Sequence, residues 1–146
     1  MSPRLSLLVL LAAALAGCGA DATAPADAAV TLTLGDTLLA RDPTARSARV
    51  RFRIENQGVA TAYVPRCGEA IGADVERWVG GRWVAYSSAI CIAVLDMSPM
   101  PLGPGEARTG MHLLGEAGRF RMLVRVTSSA AGEEVTRVVS APFVVL

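Results

Sequence analysis

The chain contains no lysine. Its basic residues are fourteen arginines, set against thirteen acidic residues, for a formal net charge of +1. Such a balance lacks the net basic surface that nucleic-acid binding needs, so no nucleic-acid partner is expected. The arginine-only usage, together with the abundance of alanine, reads as the codon bias of a GC-rich genome. Histidine occurs once, at His112, and aromatics are sparse, with two Trp, two Tyr and three Phe. With one histidine, no serine-nucleophile motif and no phosphate-cradling glycine loop, the catalytic inventory is thin. No enzyme and no cofactor are therefore expected. Long apolar runs are also scarce. The longest runs from Leu7 to Ala16, short of the about 20 residues a membrane-spanning helix requires.

What is present begins at that run. Arg4 precedes it, and the small residues Ala16 and Gly17 end it just before Cys18. A charged head, a short greasy middle and a small-residue cut describe a secretory signal. Leu15-Ala16-Gly17-Cys18 resembles the lipobox of bacterial lipoproteins. The resemblance implies cleavage before Cys18, acylation of Cys18 and a mature chain that starts there. Residues 1–17 are then a signal peptide, 18–29 the lipidated cysteine and a tether, and 30–146 the folded domain. Gly19 to Ala29 has no apolar period and nothing large to bury, which gives a flexible tether with a reach of roughly 20 Å. Gly19 rather than Asp follows the acylated cysteine, which in Gram-negative lipoprotein sorting points to the outer membrane. The expected location is the cell envelope, with the protein held to the membrane by lipid and facing the periplasm or the surface.

With Cys18 used for lipid, Cys67 and Cys91 form an even pair in an exported, oxidising compartment, and a disulfide is expected. It would close a loop of about 25 residues, worth roughly 3 kcal/mol in the chain-entropy account. The alternative, a metal or nucleophile site, lacks the close ligand spacing of zinc sites.

From Val30 onward the period is two. Val30, Leu32 and Leu34 alternate with Thr31 and Thr33, and Val50, Phe52 and Ile54 alternate with Arg49, Arg51 and Arg53. Successive side chains of a strand point to opposite faces, so these are strands. Glu55 to Gly58 reads as a break, and Val59 to Val64 as a short strand ending at Pro65. Asp74–Val79, Gly80-Gly81 and Arg82–Tyr86 read as a hairpin whose glycines supply positive φ. Trp78 and Trp83 flank its turn as a cross-strand pair. Ile90 to Leu95 is a further apolar stretch. Ser98 to Glu106, with three prolines and two glycines, reads as irregular. Ala107 to Leu114 reads as a strand. Arg119 to Thr127 alternates Phe120, Met122, Val124 and Val126 with Arg119, Arg121 and Arg125. Val135 to Val139 reads as a partner strand, and Pro142 interrupts the way to Phe143–Leu146. No stretch after Cys18 shows a capped helical period. About eight strands, separated by turn signals, predict an all-β antiparallel sandwich.

Three segments resemble bacterial immunoglobulin-like domains. Leu102-Gly103-Pro104-Gly105-Glu106 is similar to their Leu-x-Pro-Gly-Glu turn, Gly118-Arg119-Phe120-Arg121 to their Gly-x-Tyr-Arg segment, and Ser140-Ala141-Pro142-Phe143 to their closing Ser-x-Pro-Phe strand. The resemblance implies an immunoglobulin-like sandwich. Phe120 and Met122 depart from the tyrosine corner and second cysteine of antibody domains. A Cys67–Cys91 bridge would then pin the stretch after Val64 to the Ile90 strand.

Three function classes follow. The preferred one is a non-catalytic, lipid-anchored binding or structural module whose partner is an envelope protein or a glycan. If the strands carrying Arg49, Arg51 and Arg53 and Arg119, Arg121 and Arg125 share a sheet, their common face is a positive surface for an anionic ligand. The second is copper handling by Met97, Met100, Met111 and His112, since thioether and imidazole suit Cu(I). Met is also a common core filler, and Met111 and His112 point to opposite faces of one strand. The third is protease inhibition, with Met97 to Glu106 as the presented loop.

Overall fold

The computed structural model describes residues 29–88, 98–132 and 135–146. The signal segment, Cys18, the tether up to residue 28, Cys91, Met97 and the stretch from Ile90 to Leu95 lie outside the described residues. The described chain is all-β and mostly antiparallel, with a sandwich-like arrangement of sheets.

The smaller sheet has the order β1 (Val30–Leu34), β3 (Ala48–Asn56), β10 (Ala107–Leu114). The larger has the order β2 (Leu38–Leu39), β13 (Phe143–Val145), β11 (Gly118–Val126), β7 (Asp74–Val79), β8 (Arg82–Ser87), with β12 (Thr136–Val139) also paired to β11. All these pairs are antiparallel except β13 with β2. Two short ribbons complete the set: β4 (Ala62–Val64) with β9 (Met100–Leu102), and β5 (Arg66–Cys67) with β6 (Ala70–Ile71).

The core follows from the period-two pattern. In β3 every second residue from Ala48 to Asn56 is buried, and the arginines between them face out. In β11 Phe120, Met122, Val124 and Val126 are buried. These two sets meet Leu102, Leu114, Phe143 and Val145 in one apolar cluster drawn from both sheets and the β4–β9 ribbon. Phe120 sits at its centre, with Tyr86 edge-on at 5.1 Å and Phe143 at 5.9 Å.

The β7–β8 hairpin forms as expected, with φ of 56° at Gly80 and 83° at Gly81. Positive φ at both turn residues gives the twist that antiparallel strands need. The Leu102–Glu106 turn leads into β10 as expected. Glu106 N donates to Gly103 O, and its own carboxylate accepts from Gly103 N at 2.9 Å. At the other end, Pro142 has no N–H, so the chain cannot pair continuously along β11. Ser140 bridges the jog, with its hydroxyl accepting from Met122 N and donating to Ala141 O. One edge of β11 is therefore shared between β12 and β13.

The structure corrects several readings of the sequence. Thirteen strands lie among the described residues rather than about eight. The additions are mostly pieces of two or three residues, too short to show a period. The stretch expected to be irregular, Ser98 to Glu106, contains β9, in which Met100 and Leu102 are buried and Pro101 faces out. A proline can occupy a short ribbon where its missing N–H has no ladder partner to satisfy. Val59 is exposed, and the strand ending at Val64 starts only at Ala62. Asn56, read as part of a break, is fully buried and acts as a latch. Its side chain donates to Ala60 O at 2.7 Å and Leu102 O at 2.8 Å and accepts from Gly58 N at 3.0 Å. Its backbone exchanges bonds with Glu106 O and Gly105 N. Every polar group of this buried residue is thereby satisfied, which its burial requires.

Candidate functional site

The two arginine ladders lie on different sheets. Arg49, Arg51 and Arg53 stand on β3 of the smaller sheet, and Arg119, Arg121 and Arg125 on β11 of the larger. The single positive face expected had they shared a sheet does not form. Strand alternation orients each ladder away from the core, and the core separates the sheets, so the ladders look in opposite directions.

On the smaller sheet, Arg53 lies opposite Thr33 and Thr109, and Arg51 opposite Met111. Arg53 is paired with Glu55 at 3.2 Å. Arg49 lies near Asp42, whose carboxyl is held below the usual range by backbone N–H bonds from Ala45 and Thr44, with a smaller contribution from Arg49. Arg51 has no ion pair among the described residues. An open, mostly apolar groove of about 750 Å³ crosses this face between Thr33, Arg51, Arg53, Thr109 and Met111.

The larger sheet carries a more organised set. Leu38 pairs with Val144, Val144 with Arg119, and Trp78 with Trp83. Phe120 pairs with Arg77, so one step further along the ladder Arg119 comes opposite Trp78. Five adjacent strands thus contribute one row: Leu38, Val144, Arg119, Trp78 and Trp83. The two indoles meet edge to face at 5.0 Å. The exposed Arg119 guanidinium lies 5.7 Å from the Trp78 ring and 5.9 Å from the Trp83 ring. The Arg121 guanidinium lies 4.7 Å from the Trp83 ring and pairs with Glu76 at 2.6 Å. Cation–π contact of this kind is worth about 0.5–1 kcal/mol at exposed sites and fixes a flexible side chain in place. Further along the same face Arg125 sits 3.8 Å from Asp74.

The copper set does not assemble among the described residues. Met100 is buried in the core opposite Val64, and Met111 is 58 % exposed on the outer face of β10. His112 shares a 3.0 Å hydrogen bond between Nε2 and the Ser87 hydroxyl, tying β10 to β8. Burial lowers the His112 pKa, and the nearby Asp74 carboxylate opposes that shift only in part. No group of three His, Cys, Asp or Glu side chains converges as a metal site among the described residues. The presented inhibitor loop is likewise absent in the form expected, because Met100 and Leu102, its central side chains, are buried in β9. Cys67 lies half-buried in β5.

Sequence reasoning placed Trp78 and Trp83 as a pair but missed that they support Arg119 and Arg121, and it missed Leu38 and Val144 altogether. The Trp pair was signalled by the Gly-Gly turn. The remainder of the row depends on which strands become neighbours.

No protein-family model matches the chain, and no curated protein matches it. Solved structures similar to it include a Bordetella pertussis protein described as ApaA, at 18 % identity and a TM-score of 0.44 over 80 % of this chain and 89 % of that one. The CARDB domain of a Pyrococcus furiosus protein, solved in complex with di-metal ions, is similar at 16 % identity and a TM-score of 0.42 over 82 % of this chain and 90 % of that one. An alkylpurine DNA glycosylase from Pseudomonas fluorescens is similar at 14 % identity and a TM-score of 0.42, over 83 % of this chain and 31 % of the enzyme. At these identities and scores the likenesses assign neither family nor function.

Proposed function

We propose that the chain is a lipid-anchored, non-catalytic binding module of the bacterial cell envelope, with an immunoglobulin-like sandwich as its body. Cys18 carries the lipid and holds the domain to the outer membrane, facing the periplasm or the surface. Cys67 and Cys91 form a disulfide that staples the β5–β6 ribbon, as expected of an even cysteine pair in an oxidising compartment. The ligand is an anionic component of the envelope, bound on the outer face of the larger sheet.

The observation that carries the binding role is the stacking of Arg119 and Arg121 against Trp78 and Trp83 on that face. A fold with few aromatics has placed both of its tryptophans outside the core, where they hold two guanidinium groups in fixed positions. Arginines oriented in advance lose less freedom when they bind an oxyanion, and their planar forks match it.

Intact-mass analysis of the native protein tests the anchor. The expected product starts at an acylated Cys18 and gains two hydrogens on reduction of the Cys67–Cys91 bond. An unprocessed, lipid-free amino terminus would remove the envelope address. Affinity capture from envelope fractions tests the face. Capture is expected to fall with Arg119→Glu and Arg121→Glu together and to persist with Arg51→Glu. Equal capture by all variants refutes the assignment of the face.

A further inference from the structure

We infer that the Leu38–Val144–Arg119–Trp78–Trp83 row is a docking face for an anionic phospholipid surface. The inference rests on the assignment of that face under the proposed function and names its ligand. The row crosses five strands, a strip of about 19 Å at the usual spacing between strands. Two aliphatic side chains occupy one end, two indoles the other, and a cation sits between them. Around it, on the same side of the sheet, Leu146 stands two residues beyond Val144 and is hydrogen-bonded beside Leu39. Leu38, Trp78, Val144 and Leu146 are four of the ten large apolar side chains exposed among the described residues. Exposed apolar side chains scattered singly need no explanation, but a concentration on one face marks an interaction site.

The chemistry of the strip separates the possible ligands. A sugar ring binds aromatics by stacking on an open ring face. Here the guanidinium groups of Arg119 and Arg121 lie against the Trp83 ring, and the two indoles stand edge to face. A glycan would also leave Leu38, Val144 and Leu146 without a role. A bilayer surface accepts every group present: indoles partition to the headgroup level, aliphatic side chains insert below it, and arginines reach the phosphates. Charge agrees in sign. Strand alternation puts Arg119, Arg121, Arg125 and Arg137 on the outer face of the larger sheet, against Glu76 and Asp74.

Chain length is compatible. Ala29 is hydrogen-bonded to Gln57, at the end of β3 away from this row. The nine residues of β3 span about 30 Å, whereas the ten residues 19–28 reach at most about 35 Å when extended. A domain tethered at Cys18 can therefore lie with the larger sheet against the bilayer that anchors it.

Both tryptophans of the chain, Trp78 and Trp83, lie in the row. Intrinsic fluorescence of the native full-length product therefore reports on this face alone, whatever holds the remainder of the chain to a vesicle. The test reconstitutes that product into phosphatidylcholine vesicles, with and without phosphatidylglycerol, using lipids brominated along the acyl chains. The expected result is a blue shift and loss of most of the emission when phosphatidylglycerol is present. Arg119→Glu, a change of two charges, is expected to weaken docking about thirtyfold at roughly fivefold per charge. Val144→Asp restores emission in the same way, and unchanged melting points show that both variants are folded. Emission that bromine leaves untouched, with or without phosphatidylglycerol, overturns the inference. So does a blue shift produced by inorganic phosphate or by soluble polygalacturonate but not by vesicles. In either case, capture from envelope fractions that still depends on Arg119 and Arg121 would leave the wider reading of the face standing.

Discussion

Gly110 gives a sharp test of how the smaller sheet closes over the core. It lies directly opposite Phe52 in the β3–β10 ladder. A Cβ built on Gly110 would fall 2.2 Å from Phe52 Cζ and 2.7 Å from both Cε atoms. Ordinary contact begins at 3.4 Å, so the ring edge would have to retreat by about 1.2 Å. Phe52 is only 2 % exposed, among Val50, Ile54 and the rest of the core cluster, so the ring has nowhere open to go. Two effects compete in Gly110→Ala. The loss of backbone freedom in the unfolded chain stabilises by about 0.4–1 kcal/mol. Overpacking a filled core costs about 1–3 kcal/mol. Overpacking wins, leaving a net loss of about 1–2 kcal/mol and a melting point lower by about 4–8 °C. Thermal and urea unfolding followed by circular dichroism measure this. Phe52→Leu removes the ring edge, so the double variant should be more stable than the sum of the two single changes predicts, by about 1 kcal/mol. A Gly110→Ala protein as stable as the parent or more so, or a strictly additive double variant, would refute the packing argument.

Asn56→Ala leaves the carbonyls of Ala60 and Leu102 and the N–H of Gly58 without their side-chain partner, and should cost about 3 kcal/mol in urea unfolding. Met100→Ala should cost about 2–4 kcal/mol, as a buried truncation does, whereas Met111→Ala at its exposed position should change stability by less than about 0.5 kcal/mol. Melting points should fall as pH drops below 6.5. The folded pKa of His112 lies below that value, so the unfolded chain binds the proton more readily. The stability this group contributes is complete above pH 6.5 and is lost as pH falls through the folded pKa. His112→Gln should flatten that part of the profile. Glu106, held low first by the Gly103 N–H and then by Arg108, loses its contribution in the same direction at more acidic pH.

Much of the local structure was legible because it depends on neighbours in the chain. The alternation of Val50, Phe52 and Ile54 with arginines fixes which side of β3 is buried, whatever strand lies beside it. The same holds for Phe120, Met122 and Val124 in β11. Gly80-Gly81 fixes the hairpin and its register, and with it the Trp78–Trp83 pair. Ser140 to Phe143 fixes a break followed by a strand, because proline cannot continue the ladder.

Tertiary structure decided what depends on distant partners. Period two says that Arg51 and Arg121 both face outward, but it carries no information on which sheet each strand joins. That choice placed the two ladders on opposite sides and removed their common face. β9 exists because Ala62–Val64 offers it an edge, not because Met100-Pro101-Leu102 favours a strand. Asn56 is a turn residue by type and a core residue by circumstance, since only the folded chain brings Leu102 within reach of its amide. The row from Leu38 to Trp83 is drawn from five strands scattered between residues 38 and 144, and pairing energies between such distant segments are set by the packed core rather than by local sequence.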